Sequence, residues 1–167
     1  KPKLGSSQVF YIAHRIFEKL ELARQFPTKR AADFSIALKF MAARLKMRHS
    51  VIVISDVVDL VNDNAAVDFK MLRMLAAKHD MMMLIVDDPE EFAVKSWLGY
   101  IRISDMETGK QTVISARKAG AIRRDIVERL EALQYRLKNQ SGVDSVVLTP
   151  DNHAEVLPKF LISRTAR

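Results

Sequence analysis

Cysteine is absent from this chain of 167 residues, and glycine is scarce, with five in all. The lack of cysteine excludes disulfides, thiol nucleophiles and cysteine-based metal sites. The glycines form neither a Walker-type phosphate loop nor a G-x-G-x-x-G dinucleotide motif, and the Gly-x-Ser-x-Gly elbow of serine hydrolases does not occur. Several large classes of enzyme are therefore excluded before any other motif is considered.

Long apolar runs are also missing. No segment reaches the roughly 20 consecutive apolar residues that span a bilayer, and the first five residues lack the apolar core of a signal peptide. Together with the absence of cysteine, these features predict a cytoplasmic protein without a membrane span. The chain does not begin with methionine, so we expect a fragment, a processed chain or an ordered subset of a longer one.

The charge is unbalanced but dispersed. The net charge of +7 comes from 27 basic and 20 acidic residues, and a basic excess is one sign of nucleic-acid binding. Here the basic residues are spread over predicted helices, where solvated helix faces account for them. Aromatic residues do not interleave with them as they do in a single-strand-binding groove. The composition therefore favours a protein partner over nucleic acid.

Two apolar runs organise the chain. The first is Ser50–Ser55, with Val51 to Ile54 unbroken, and the second is Met81–Val86. Continuous apolar residues are typical of strands buried on both faces of a parallel sheet. The helical pattern between them, from about Ala65 to Lys78, completes a strand–helix–strand unit whose two strands run parallel. We therefore predict a central parallel sheet covered by helices on both sides.

The other elements follow from periodicity and turn residues. Two helices precede the first strand, which is unusual in an α/β domain and suggests that the sheet begins before Lys1. We therefore expect a single domain over 1–167 that is incomplete at its N-terminus. The remaining predicted elements are helices over Gln8–Arg24, Ala31–Met47 and Ala119–Asn139, a hairpin of Tyr100–Ser104 with Gln111–Ser115, a strand over Ser145–Thr149, and a last helix containing Pro158.

Acidic residues follow both apolar strands. Parallel strands place these positions at one sheet edge, where α/β folds bind ligands. Carboxylates at such an edge suit Mg²⁺ or a protein partner, although Asp56 alone could simply cap the next turn. The four histidines show no metal-ligand spacing, and we interpret each as lying at the surface or at a helix end. The acidic residues are Asp56, Asp59, Asp87, Asp88, Glu90 and Glu91.

Several segments together resemble one bacterial family, the domain-of-unknown-function 58 family. They are RHSVIVISDVVD, LAAKHDMMMLIVDDPEE, ISDMETGKQTVIS and SGVDSVVLTPDNHAEVLPKFL. The resemblance runs from about Ala31 to the end of the chain. That family is similar to von Willebrand factor type A domains, so the resemblance implies a Rossmann-like three-layer sandwich. Its sheet would be mostly parallel, with a hairpin insertion and without its N-terminal strands.

The resemblance also implies a metal-ion-dependent adhesion site. Such a site combines an Asp-x-Ser-x-Ser motif, a threonine and an aspartate after a later strand, and Asp56 matches the last of these. The nearest string to the first motif, from Asp33 to Ala37, lacks the final serine and lies in a predicted helix. The threonine position falls on Ala32, or on Thr28 if the loop is shifted. The site is therefore expected to be degenerate or incomplete, with Mg²⁺ as the ion it would take.

Two functions follow as expectations. The resemblance implies a non-enzymatic protein-interaction module, an adaptor that works with a MoxR-type AAA+ ATPase. The alternative is a Mg²⁺-dependent phosphoryl or phosphodiester hydrolase with Asp56 and Asp87 or Asp88 as ligands. If the edge of the first strand is unprotected, self-association into a homo-oligomer is also expected. The residues expected to contact a partner are Ser55, Asp56, Asp59, Asp87 and Asp88.

Overall fold

A computed structural model of the chain describes residues 5–25, 33–56, 66–90, 99–104 and 110–165. The chain divides into two compact units. One comprises residues 1–32 and 102–113, and the other comprises residues 33–101 and 114–167. The expectation of a single domain stays a prediction.

The smaller unit contains the first helix and most of a strand pair. Helix α1 spans Ser6–Gln25, and an Arg15–Glu18 ion pair of 2.7 Å lies on its surface. Strands β3 (Tyr100–Ser104) and β4 (Gln111–Ser115) hydrogen-bond to each other as a two-stranded sheet. The positions predicted for this helix and for both strands are confirmed.

The larger unit is built on a three-stranded parallel sheet. Its strands are β1 (Ser50–Ser55), β2 (Asp80–Val86) and β5 (Asp144–Leu148), in the order β1-β2-β5. Both neighbouring pairs are parallel, with Ser55 beside Ile85 in one pair and Ile85 beside Val147 in the other. The predicted parallel sheet of an α/β fold is therefore confirmed for these strands.

The described residues of this unit also form four helices and one π-helical turn. The second predicted helix begins later than expected, because the Asp33 carboxylate caps it by accepting a hydrogen bond from the Ile36 N–H at 3.2 Å. The longest helix ends in a π turn, and Gly142 follows with a left-handed φ of 69°, a conformation that favours glycine. The elements are α2 (Phe34–Arg44), α3 (Ala66–Lys78), α4 (Ala116–Arg136), the π turn Leu137–Ser141 and α5 (His153–Thr165).

The largest hydrophobic cluster in the described residues lies on one face of the three-stranded sheet. Side chains that alternate along a strand point to the same face, and here Met81, Met83 and Ile85 of β2 form one cluster with residues of the helices. Met83 and Ile85 are completely buried. The helical members of the cluster are Leu38, Phe69, Leu72, Leu75, Leu130 and Leu133.

Strand β1 is not buried on both faces, and this expectation was wrong. Val51 and Val53 pack against the core cluster, but Ile52 is 54% exposed and Ile54 is 67% exposed. Ile52 and Ile54 are exposed because β1 lies at the edge of the described sheet, where helices pack over one of its faces. The double burial belongs to β2, where Met81 to Ile85 are all buried.

Arg164, in the last turn of α5, is held by two carboxylates. This guanidinium, 13% exposed, binds the carboxylates of Asp80 and Asp144. Those aspartates are the first residues of β2 and β5. Arg164 therefore fastens α5 to the amino-terminal edge of the sheet.

No helix in the described part of the chain combines the length and apolarity needed to cross a membrane.

Candidate functional site

The carboxyl ends of the three parallel strands form the candidate site. Asp56 follows β1, the pair Asp87 and Asp88 follows β2, and Thr149 follows β5. The Asp87 N–H donates to the Leu148 carbonyl at 2.9 Å, so the sheet pairing continues one residue beyond β2. The structure therefore brings the acidic residues of β1 and β2 to one edge, as parallel pairing requires.

Asp87 is held by an arginine that the sequence did not reveal. Both Arg123 terminal nitrogens donate to the two Asp87 oxygens, each at 2.6 Å. The two side chains are 21% and 12% exposed, and a two-bond guanidinium–carboxylate contact is among the stronger polar contacts in proteins. Asp87 therefore connects α4 to the end of β2, and its carboxylate is already engaged.

Asp88 shapes the turn that follows. Its carboxylate accepts a hydrogen bond from the Glu90 N–H at 2.9 Å, which is the local pattern by which aspartates stabilise turns. The side chains of Asp88 and Glu90 are exposed. Asp88 thus keeps a solvent-facing carboxylate at the edge. Asp59 and Glu91, which we also expected there, lie outside the described residues.

Asp56 is the exposed carboxylate at the end of β1. The Ser55 hydroxyl donates to its Oδ1 at 3.4 Å, a long and weak contact. Among the residues that the structure describes, no lysine, arginine or histidine forms an ion pair with Asp56. Asp56 therefore differs from Asp87, because its negative charge faces solvent.

Local hydrogen bonds order the turn that follows β5. The Thr149 N–H donates to the Asn152 side-chain oxygen at 2.8 Å, and the Asn152 N–H donates to the Thr149 hydroxyl at 3.3 Å. This reciprocal pair leads into α5, which begins at His153. The turn after β5 is therefore ordered by its own hydrogen bonds, and it carries the exposed Asp151.

The described part of the chain contains no cluster of three or more acidic or histidine side chains that could hold a metal ion. Asp56 and Ser55 offer two neighbouring oxygen donors, whereas Asp87 is paired with Arg123. These donors do not form a preorganised Mg²⁺ site, because Mg²⁺ requires nearly octahedral coordination. The assignment of Asp56 as a metal ligand stays a prediction.

The string from Asp33 to Ala37 has a structural role in α2. Asp33 is its N-cap, and the Ser35 hydroxyl donates to the carboxylate of the buried Asp68 on α3. The string therefore caps one helix and joins it to another. Thr28 and Ala32, the alternative threonine positions, lie outside the described residues.

His79 is a buried histidine at the opposite edge of the sheet. It follows α3, as expected for a helix-terminal residue, but its side chain is only 3% exposed. Its Nδ1 accepts the His49 N–H at 3.3 Å, and its Nε2 is buried without a hydrogen-bond partner among the described residues. Burial, and then the positive charge of Lys78 and the nearby His49, lower the pKa of His79 below its usual value of 6.5.

We expect this histidine to make the fold sensitive to acid. Because its pKa is lower in the folded chain, the unfolded chain binds a proton more readily, so its contribution to stability is full above about pH 6.5 and falls as the pH decreases. His79→Asn keeps an acceptor for the His49 N–H but cannot titrate. Urea unfolding of both proteins at pH 7.5 and pH 5.5 should show a smaller loss of stability for the variant. Equal losses of stability in the two proteins would contradict the role of His79 in acid sensitivity.

Comparison with family models gives one match. The model described as "Protein of unknown function DUF58" matches residues 2–135. The match begins nearer the start of the chain than the resemblance we noted, and it ends before the segment SGVDSVVLTPDNHAEVLPKFL. Comparisons with curated proteins and with solved structures give no match. Since the family model covers most of the chain, from the region of α1 through nearly all of α4, the chain belongs to the DUF58 family.

Proposed function

We propose that this chain is a protein-interaction module that binds its partner through the carboxyl edge of the three-stranded sheet. The supporting observation is the contrast between its two aspartates. Asp87 is neutralised by Arg123, whereas Asp56 carries an exposed charge without a cationic partner among the described residues. An exposed carboxylate held on a strand end is a rigid contact for a basic group of another protein.

The geometry supports binding at the end of β1 more than at the end of β2. Ser55 is the last residue of a strand that pairs with β2, and Asp56 follows it directly. Binding at this position therefore requires little ordering of the backbone. Asp88 adds a second exposed carboxylate after the neighbouring strand. The partner surface that fits this edge is basic, and the proposed partner is a MoxR-type AAA+ ATPase, for which the chain acts as an adaptor.

A pull-down tests this proposal. Immobilised chain is expected to retain a MoxR-type AAA+ ATPase, and Asp56→Ala is expected to retain much less of it, because the exposed charge is lost. Glu131→Gln is a matched control, since it removes one exposed negative charge from α4 away from the strand ends. Equal retention by all three proteins would contradict the role of Asp56. Adding EDTA separates a metal-bridged contact, which it abolishes, from the direct contact proposed here.

The same preparations distinguish the module from the hydrolase alternative. We expect no turnover of phosphate monoesters or diesters with Mg²⁺ or Mn²⁺. Turnover that disappears in Asp56→Ala would contradict the proposed function and favour the hydrolase.

A further inference from the structure

A cavity of about 220 Å³ lies between α2 and α3, at the amino-terminal edge of the sheet. Its walls come from Ala42 of α2, from the second half of α3 and from His79, which follows α3. Every residue of these walls is described, and α2 packs directly against α3. The cavity is therefore a feature of the contact between the two helices, at the opposite edge of the sheet from Asp56.

The walls of the cavity are mainly apolar, with two polar residues among them. The lining residues are Ala42, Met71, Met74, Leu75, Lys78 and His79. The volume is below the roughly 300–1,000 Å³ of sites for drug-sized ligands, so a ligand that fits is small. Methionine side chains are flexible, and Met74 is 65% exposed. A small molecule can therefore enter by displacing this side chain.

His79 has a buried hydrogen-bond donor without an acceptor. Its Nδ1 accepts the His49 N–H at 3.3 Å, so the proton of the neutral ring is on Nε2. Nε2 is buried, and no group in the described part of the chain accepts its proton. Burial lowers the pKa of His79, which keeps the ring neutral near pH 7. Because buried donors are nearly always paired in proteins, this N–H indicates a ligand with an acceptor oxygen.

Lys78 adds a positive charge to the walls of the same cavity. Its Nζ donates to the Leu45 carbonyl at 3.0 Å, which uses one of the three donors of the ammonium group. No carboxylate of the described residues forms an ion pair with it. The acceptor that best suits an ammonium and an imidazole N–H is a carboxylate. Water is a poorer fit, because a buried water needs two to four polar partners and the other walls are apolar.

We propose that this cavity binds a small monocarboxylate with a short aliphatic chain. One carboxylate oxygen accepts the His79 Nε2–H, and the other pairs with the Lys78 ammonium group. The aliphatic chain lies against Met71, Met74 and Leu75. This site does not depend on the proposed function, because it shares no residue with the carboxyl edge of the sheet.

An NMR titration of the 167-residue chain with sodium butyrate tests the site. The imidazole signals of His79 should shift saturably, whereas those of the exposed His153 should not. Acetate carries the charge with a shorter chain, and 1-butanol carries the chain without the charge. Each should bind at least about tenfold more weakly than butyrate, because each loses one of the two kinds of contact. The absence of a saturable His79 shift, or equal affinity for all three compounds, would overturn the proposal.

The titration of His79 itself gives a second measurement. A carboxylate beside the ring favours the imidazolium form, so the pKa of His79 should be higher with saturating butyrate than without it. Burial, and then the positive charge of Lys78 and the nearby His49, lower this pKa in both conditions. The difference between the two conditions therefore reports the ligand alone. An unchanged pKa at saturation would contradict the contact between the carboxylate and Nε2.

Filling the cavity separates binding at this site from binding elsewhere. Ala42→Leu enlarges a wall residue and should weaken butyrate binding at least about tenfold, since overpacking of a cavity is unfavourable. Ala43→Leu is the matched control, because Ala43 is the next exposed residue of α2 and does not line the cavity. Leucine is a good helix former, so both variants should fold. Equal butyrate affinities of the two variants would overturn the proposal.

Removing the positive charge tests the other polar contact. Lys78→Met should weaken butyrate binding, whereas Lys70→Met, at an exposed position on the same helix, should leave it unchanged. Equal affinities of these two variants would contradict the pairing of the carboxylate with Lys78.

Discussion

Replacing Arg164 with leucine is expected to lower the free energy of unfolding by about 2–3 kcal/mol, because it removes a largely buried guanidinium from between two partly exposed carboxylates. Arg164 binds Asp80 and Asp144, and its guanidinium is 13% exposed. Leucine keeps an apolar side chain beside Phe160, over whose ring the guanidinium lies. The loss would therefore come from two neighbouring carboxylates that repel each other without the cation between them. Urea unfolding at pH 7 measures it.

Two controls separate this effect from a general loss of charge. Lys159→Met removes an exposed ion pair with Glu155 on the same helix, where both side chains are more than 70% exposed, and it should change stability by less than about 0.5 kcal/mol. Adding Asp80→Asn and Asp144→Asn to the Arg164 variant should recover part of the loss, since the repulsion disappears. If the Arg164 and Lys159 variants were equally stable, the fastening role of Arg164 would be wrong.

Replacing Arg123 with methionine is the second change with a large expected effect, a loss of about 2 kcal/mol. The reason is that Asp87 is only 12% exposed and would lose both of its short hydrogen bonds to the guanidinium. Arg123→Lys keeps the charge but cannot donate two parallel hydrogen bonds, so its loss should be intermediate. Thermal or urea unfolding of the three proteins should rank wild type first, then lysine, then methionine.

The matched control for this change lies on the same helix. Arg129 pairs with Asp125 at 2.9 Å, but both side chains are more than half exposed. Arg129→Met should therefore have a small effect, as exposed pairs four residues apart usually do. An equally large loss for Arg129→Met would mean that the decrease reflects helix propensity or net charge rather than the contact with Asp87.

Local sequence patterns predicted the elements of this fold well. The β-branched run of β1, the apolar run of β2 and the helical spacing of α3 all depend on neighbours close in sequence, and each element lies where expected. The end of the longest helix is also determined locally, because the residue that follows it adopts a left-handed φ and is a glycine, Gly142. Parallel pairing then placed Asp56 and Asp87 at one edge of the sheet.

Contacts between distant parts of the chain could not be predicted in this way. Ile52 and Ile54 are as apolar as the residues of β2, and their exposure depends on which elements pack around β1. Arg123 is 36 residues from Asp87 and Arg164 is 84 residues from Asp80, so spacing along the chain gave no sign of either ion pair. His79 shows the same limit, because its burial follows from packing beside His49 rather than from its own position after a helix.

These contacts change how the acidic edge is interpreted. The sequence suggested one cluster of equivalent carboxylates, suited either to Mg²⁺ or to a partner. In the structure, Asp87 stabilises the fold and Asp88 orders a turn, whereas Asp56 carries an exposed charge.

The affinity of the chain for a MoxR-type AAA+ ATPase, measured for wild type, Asp56→Asn and Glu131→Gln, tests the central claim most directly. The asparagine has the size of aspartate but no charge. The account predicts a dissociation constant about tenfold higher for Asp56→Asn, equivalent to about 1.4 kcal/mol, and no change for Glu131→Gln. Equal dissociation constants for all three proteins would contradict it.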